Sequence, residues 1–258
     1  MTSYFDLGGK RALVTGAGRG IGRAVALAMA AAGADIALNA RGRDALESVA
    51  AEIRGLGRRA LVLPGDVGDA AMVRSIFGTL ETEWGGLDIF VSNAGMNIRK
   101  PLLELADEDW HAVLRTNLHA VFYGCREAVR LMKDAGGRIV VLGSVAGLVA
   151  IPTGIAYAAA KAGLAQMVKN LALEWGPHGI TANCIAPWYI RTALTEKLLG
   201  DPAFMRDIMR VTPLGRVGDV DDVAGVAVFL ASRAAAYITG QTIAVDGGMT
   251  VHGFSREA

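Results

Sequence analysis

Arg11-Ala-Leu-Val-Thr15 runs directly into Gly16-Ala-Gly18-Arg19-Gly20-Ile21-Gly22, and that into Arg23-Ala-Val-Ala-Leu-Ala-Met-Ala-Ala-Ala-Gly33. The first run is short and apolar, as a buried strand is; the last is an alanine-rich helix with Gly33 as its stop. Asp35–Arg41 (DIALNAR) follows as a second strand. Strand, glycine-rich turn, helix and strand make one βαβ unit of the usual length. Glycines at this point let the chain turn tightly and let a phosphate approach the backbone N–H groups at a helix N-terminus. A glycine-rich turn without a ligand is the alternative.

The pattern continues outward from that unit. Asp44–Leu56 reads as a helix, Arg59–Gly65 as a strand, Ala70–Trp84 as a helix capped by Asp69, and Leu87–Ser92 as a strand ending in Ser92-Asn93-Ala94-Gly95. Asp107–Met132 reads as one long amphipathic helix, with Asn117 at an interior position that propensity disfavours. Gly136–Ser144 is a strand, Thr153–Trp175 a helix, Gly179–Pro187 a strand, Asp219–Ser232 a helix, and a final strand starts at Thr242. Strands that alternate with helices throughout predict an α/β fold: a single-domain Rossmann-type doubly wound parallel sheet of about seven strands, with helices on both faces. One domain is expected over residues 1–258, with 188–217 as a lid segment inside it.

Composition narrows the function. The 258 residues are 52% hydrophobic and 20% charged, with a net charge of +1. No basic excess speaks for nucleic acid, and no basic amphipathic segment for a membrane surface. Ile139–Ala160 carries no charge, but Gly143, Gly147, Pro152 and Gly154 interrupt it, so it reads as strand, loop and helix start rather than a membrane span. Cys125 and Cys184 lie in apolar segments without metal-ligand spacing and are expected as buried free thiols. MTSYFDLGGK lacks the apolar core of a secretory leader, so the expected location is the cytoplasm. The tail HGFSREA is expected to be loosely ordered.

Candidate chemistry lies in Gly143–Lys161, GSVAGLVAIPTGIAYAAAK. Ser144 follows a strand, and Tyr157 and Lys161 share a helix face one turn apart. An ammonium beside a phenol favours the phenolate, which predicts a Tyr157 pKa below its usual value and a usable general acid/base. An exposed Tyr–Lys pair is the competing reading of the same spacing. At the end of the second strand, Asn39-Ala40-Arg41 offers no acid before Asp44. A ribose-binding acid is thus missing, and Arg41, with Arg19, suits a 2′-phosphate, so NADP(H) is expected in preference to NAD(H). Asp66 sits where an adenine amino group lies in such a fold, or is simply a loop acid.

Several of these motifs together, Thr15–Gly22, Asp66–Val67, Ser92–Gly95, Asn117, Gly143–Ser144, Tyr157–Lys161, Ala186–Thr192 and Ile238–Gly248, resemble the short-chain dehydrogenase/reductase family over essentially the whole length. The resemblance implies a catalytic tetrad of Asn117, Ser144, Tyr157 and Lys161 for an NAD(P)-dependent alcohol dehydrogenase or ketoreductase. Tyr157 gives and takes the proton, Ser144 holds the reacting oxygen, Lys161 tunes Tyr157 and holds the nicotinamide ribose, and Asn117 holds a relay water. It also implies Gly16, Arg19, Gly20, Ile21 and Gly22 on the phosphates, Asp66 and Val67 on adenine, Asn93, Ala94 and Gly95 on the adenosine ribose, and Pro187, Ile190 and Thr192 on the nicotinamide. No metal is required, and a homotetramer is implied, with the helices of 107–132 and 153–175 and the last strand as interfaces.

The chain departs from the family pattern at Ser92, Ala160 and Trp188. Trp188 either narrows the substrate pocket or packs on the lid. The pattern is most similar to gluconate 5-dehydrogenases and related polyol or ketone reductases, and is also similar to acyl-carrier-protein ketoreductases and tropinone-type reductases. The implied substrate is a secondary alcohol or ketone such as a polyol, sugar acid or other small carbonyl compound; a β-ketoacyl thioester is the alternative. Arg99 or Lys100 offers a cation to a substrate carboxylate, or is a solvated surface charge. A non-catalytic NADPH sensor has no need of Ser144, Tyr157 and Lys161 together, and a dehalogenating lyase has no need of the glycine loop.

Overall fold

The structure is a computed structural model, and it describes residues 4–252; the tail beyond His252 lies outside the described residues. Seven strands, β1 (Arg11–Thr15), β2 (Asp35–Ala40), β3 (Ala60–Pro64), β4 (Ile89–Ser92), β5 (Gly137–Leu142), β6 (Ile180–Pro187) and β7 (Thr242–Val245), form one sheet in the order β3-β2-β1-β4-β5-β6-β7. Every neighbouring pair is parallel. The helices are α1 (Gly20–Ala31), α2 (Arg43–Gly55), α3 (Ala70–Trp84), α4 (Asp107–Leu114), α5 (Ala120–Met132), α6 (Ile155–Trp175), α7 (Glu196–Leu199), α8 (Pro202–Arg210) and α9 (Val220–Ala231).

Side chains alternate across a strand, so a sheet buried on both sides needs apolar residues at every position. Ala12, Val14, Ile36, Leu38, Val140 and Leu142 face one layer, where α1, α2 and α9 pack through Val25, Met29, Leu46, Ile53, Ala227 and Leu230. Leu13, Ala37, Phe90, Ile139 and Val141 face the other, against α3, α5 and α6 through Phe77, Leu80, Val121, Cys125, Leu164 and Val168. Both thiols are buried and free, and burial pushes that of Cys125 up to about 12. Asp69 caps α3 through its carboxylate, which accepts from the Ala71 N–H at 2.8 Å. Among the described residues no helix is long and apolar enough to cross a membrane.

The strand order reverses between β1 and β4, and ligands bind such sheets outside the strand ends at that point. Here the two ends are tied together. The Thr15 hydroxyl accepts from the backbone N–H groups of Asn93 (3.0 Å) and Ala94 (3.1 Å), and the Asn93 amide donates to the Thr15 carbonyl (2.9 Å).

One expected element differs. The stretch 107–132 is not a continuous α-helix: Arg115–His119 forms a π-helical turn between α4 and α5. The cause is tertiary. The Asn117 side-chain N–H2 donates to the Val113 carbonyl at 2.9 Å and to the Met96 carbonyl at 2.7 Å, while its oxygen accepts from the Met96 N–H at 3.3 Å. Asn117 thus bonds a carbonyl of its own helix and a loop 21 residues away in sequence, a geometry that periodicity does not reveal.

Beyond β6, the 188–217 segment carries α7 and α8 and packs on itself: Tyr189, Leu199, Ile208 and Val217 form a small core of their own, covered by Trp188, Phe204 and Met205.

Candidate active site

One cleft of about 660 Å³ runs along the C-terminal strand ends and is lined by every residue singled out from the sequence as catalytic or cofactor-binding. Its two ends have different chemistry.

At the β1–β2 end, α1 begins with Arg19 extended at its N-cap, with no side-chain cap and no acid in its first turn. Its first N–H groups and the positive end of its dipole are therefore left for an anion. Gly20 adopts φ +56°, and Gly22 packs so closely under the turn that a Cβ there would stand 2.3 Å from the Gly16 carbonyl oxygen and 2.4 Å from the Asn93 amide nitrogen. Arg19 and Arg41 line the rim, exposed and without an ion pair among the described residues. Beneath them Asn39 is 1% exposed; its amide donates to Leu63 (2.8 Å) and Gly65 (3.2 Å), but its Oδ1 has no partner. An orphaned buried acceptor below two free cations and an uncapped helix fits a phosphorylated nucleoside ligand with a donor group. Asp66 accepts from the Gly68 N–H at 2.9 Å, and its second oxygen lies 3.5 Å from the guanidinium of Arg115.

At the other end, Ser144 follows β5 and opens a short turn, its hydroxyl accepting from the Ala146 N–H at 3.1 Å. Tyr157 and Lys161 lie on α6, with the Lys161 amine 5.4 Å from the centroid of the Tyr157 ring. Lys161 is 5% exposed, and its amine donates to the Leu142 carbonyl at 2.6 Å. This geometry reverses one expectation. In the chain alone the Tyr157 pKa is raised, not lowered: burial dominates, with the Ser144 hydroxyl and the Arg99 charge opposing it. The ammonium lies over the ring face and is held by a carbonyl. It is itself depressed to about 8 by burial. The linkage has a definite sign. A buried ammonium costs folding stability fully below about 8, and the cost fades as pH rises from there toward the unfolded lysine value of 10.5.

The Tyr157 end of the cleft is bordered by the Met96–Arg99 segment, through Met96, Asn97 and Arg99. That segment runs against Gly154, where a Cβ would stand 2.2 Å from the Ile98 carbonyl oxygen, and it is pinned by the Asn97 amide donating to Thr153 at 2.8 Å. Arg99 lines the cleft without an ion pair among the described residues, whereas Lys100 is paired with Asp109 and turned away. Of the two cations offered by the sequence, Arg99 is the one that reaches the site. Trp188 lines the cleft, and its indole N–H donates to Thr212 at 3.2 Å within the 188–217 segment. Sequence reasoning missed Tyr189, Asn97, Thr153 and Arg115, which also line the cleft. For Tyr189 the signal was present, an aromatic pair directly after the C-terminal end of a strand; for the others it was not.

Comparison with known proteins agrees with this geometry. A family model described as enoyl-(acyl carrier protein) reductase matches residues 16–250. A tropinone reductase homolog of Arabidopsis thaliana is 42% identical over 97% of this chain and 96% of its own. Gluconate 5-dehydrogenase of Gluconobacter oxydans is 40% identical over 96% of this chain and 97% of its own. The crystal structure of a gluconate 5-dehydrogenase from Burkholderia cenocepacia, in complex with NADP and tartrate, superimposes with a TM-score of 0.93 at 40% identity, covering 96% of this chain and 98% of that one. With these matches over nearly its full length, a seven-stranded parallel sheet and a cleft at its switch point, the chain belongs to the short-chain dehydrogenase/reductase family of oxidoreductases.

Proposed function

We propose that the protein transfers a hydride between NADP(H) and a secondary alcohol or ketone of a small polyol, sugar acid or related carbonyl compound, with Tyr157 as general acid/base. One observation carries the reading: a single cleft joins two unpaired arginines and an uncapped helix at one end to Ser144, Tyr157 and Lys161 at the other. NADPH, when bound, supplies the hydride. The rest falls to side chains. Ser144 holds the carbonyl oxygen by a hydrogen bond that strengthens as charge develops there. Tyr157 gives that oxygen a proton in reduction and takes it back in oxidation. Lys161, fixed by the Leu142 carbonyl, places positive charge over the phenol ring and toward the cofactor ribose. The Asn117 side chain is already spent on Met96 and Val113, so what the π-helical turn offers to a relay water is its main chain. In this reading Gly16, Gly20, Ile21 and Gly22 cradle the phosphates, Asp66 and Val67 meet adenine, Asn93, Ala94 and Gly95 the adenosine ribose, Pro187, Ile190 and Thr192 the nicotinamide, and 188–217 is the lid.

Arg19 and Arg41, free of acidic partners among the described residues, support NADP(H) over NAD(H). Arg41→Asp is expected to reverse the preference, costing about tenfold or more in kcat/KM with NADPH and favouring NADH, because it removes a charge-assisted bond and adds repulsion. Steady-state kinetics with both cofactors checks it; an unchanged ratio shows that Arg41 does not read the 2′-phosphate.

The substrate is read from Arg99, a cation at the mouth of the reacting end that suits a carboxylate better than a thioester. Binding of tartrate by the Burkholderia relative supports an acid-bearing substrate. A panel of sugar acids, polyols, cyclic ketones and β-ketoacyl thioesters, followed by NADPH oxidation and NADP reduction, tests it. Turnover of sugar acids is expected. Turnover confined to the thioesters replaces this reading with a β-ketoacyl reductase, and tight NADPH binding without any turnover replaces it with a sensor. The reading further takes the enzyme to be cytoplasmic and a homotetramer; exposed Phe122 on α5, exposed Leu173 on α6 and β7 as a sheet edge support assembly.

A further inference from the structure

We infer that Tyr189 is a substrate-binding residue, whose hydroxyl pairs with Arg99 to hold the carboxylate of an acid substrate and so ties that carboxylate to the lid. The inference rests on the proposed reductase reading and adds to it a residue and a mode of selection.

The observations are these. Tyr189 is 7% exposed, yet it lines the cleft together with Arg99 and Tyr157. Among the described residues its hydroxyl makes no hydrogen bond, and unlike the sealed Asn39 Oδ1 it is open to the cleft, free to meet a ligand. Burial pushes this phenol up, Arg99 draws it down and Tyr157 pushes it further up, so the three polar ends lie within electrostatic reach of one another. Arg99 also has no acidic partner among the described residues. A guanidinium without a counter-ion and a phenol without an acceptor among the described residues, both lining the cleft that holds Tyr157, are complementary to one missing group. That group is an anion with two acceptor oxygens, joined by a short carbon chain to the carbonyl at Tyr157.

The Tyr189 ring itself is fixed. It packs edge-on to Trp188 at 4.5 Å and to Phe204 of α8 at 5.3 Å, inside the small core of 188–217. Its carbonyl accepts from the Gly218 N–H at 3.0 Å, where Ile190 also bridges to Gly218. The hydroxyl is therefore carried by the lid at its base, where the segment leaves β6 and meets Gly218. An acid bound to it draws the lid onto the site; a neutral substrate of the same size gains nothing from it.

Tyr189→Phe tests this, because phenylalanine keeps the ring packing and removes only the hydroxyl. A bond to a charged group is lost, so the KM for gluconate is expected to rise roughly 10-fold or more with kcat within about twofold, while the KM for a neutral hexitol or cyclic ketone stays unchanged. Arg99→Met should show the same selectivity, and the double variant should lose less than the sum of the two. The melting temperature of Tyr189→Phe should match that of the wild type. Equal effects on acid and neutral substrates, or none on either, overturn the inference. Calorimetric titration of gluconate into the NADP-loaded protein separates this from the functional reading. If the wild type binds gluconate and Tyr189→Phe weakens it although no panel compound turns over, the reductase reading fails and the Tyr189 site stands. If neutral ketones are reduced but gluconate binds equally to both proteins, or to neither, the Tyr189 site fails and the reductase reading stands.

Discussion

Tyr157→Phe is expected to lower kcat by ~10²-fold or more in both directions while leaving NADPH affinity and the melting temperature nearly unchanged. The ring stays, so the 5.4 Å contact with the Lys161 amine and the packing of α6 persist. What disappears is the one hydroxyl placed beside Ser144 that can give up a proton. Burial raises the Tyr157 pKa, so at neutral pH the phenol is the protonated, donating form. Reduction in the wild type should then be insensitive to pH near neutrality and fall as the phenol ionises at alkaline pH. Oxidation, which needs the phenolate, should rise over that same range. Stopped-flow measurement of the hydride step in both directions reads this directly, and the variant should lose the pH dependence along with the rate. A kcat within about fivefold of the wild type would remove Tyr157 from the acid/base role.

Gly22→Ala carries the second large effect, on a different quantity. The added methyl would sit 2.3 Å from the Gly16 carbonyl oxygen and 2.4 Å from the Asn93 amide, and neither can yield. Gly16 is held in the turn at φ +65°, and Asn93 ties the end of β4 to the end of β1. Relief has to come from moving α1 off the strand ends, which costs about 3 kcal/mol, the upper part of the range for overpacking. That movement also withdraws the free N–H groups of α1 from the cleft. Urea denaturation should show the lower midpoint, and fluorescence titration should show NADPH binding weakened about 100-fold, since phosphate contacts are lost together. Wild-type NADPH affinity in a destabilised variant would show that the turn does not hold the phosphates. Wild-type stability would show that the turn has more room than its geometry implies.

The layered fold was legible because each strand is apolar at successive positions and each helix is apolar on one stripe. Local chemistry marked the boundaries, as Asp69 did for α3 and Gly33 for the end of α1. The residues brought together in the cleft were legible for a related reason: in a parallel sheet the residues at or just past the C-terminal ends of the strands lie at the same edge, which collects Gly16, Arg41, Asp66, Asn93, Ser144 and Pro187. What was hidden depends on contacts between distant segments. The side chain of Asn117 reaches Met96, and Arg99 lines the cleft while its neighbour Lys100 is captured by Asp109. The direction of the Tyr157 shift was hidden too: spacing on a helix placed the amine beside the phenol but said nothing of how deeply both are buried.

The π-helical turn at Arg115–His119 has a consequence for how this segment can vary. Closing the same five residues into ordinary i→i+4 spacing would leave one residue too many for the turn and rotate everything after it by about 100°. The face of α5 that carries Val121, Cys125, Ala128 and Met132 would swing away from the sheet. The wide turn is therefore insured by residues with no part in the chemistry. Drift toward a regular helix is blocked by the core, so the irregularity that sets Asn117 in place is inherited with the fold rather than maintained by the reaction alone.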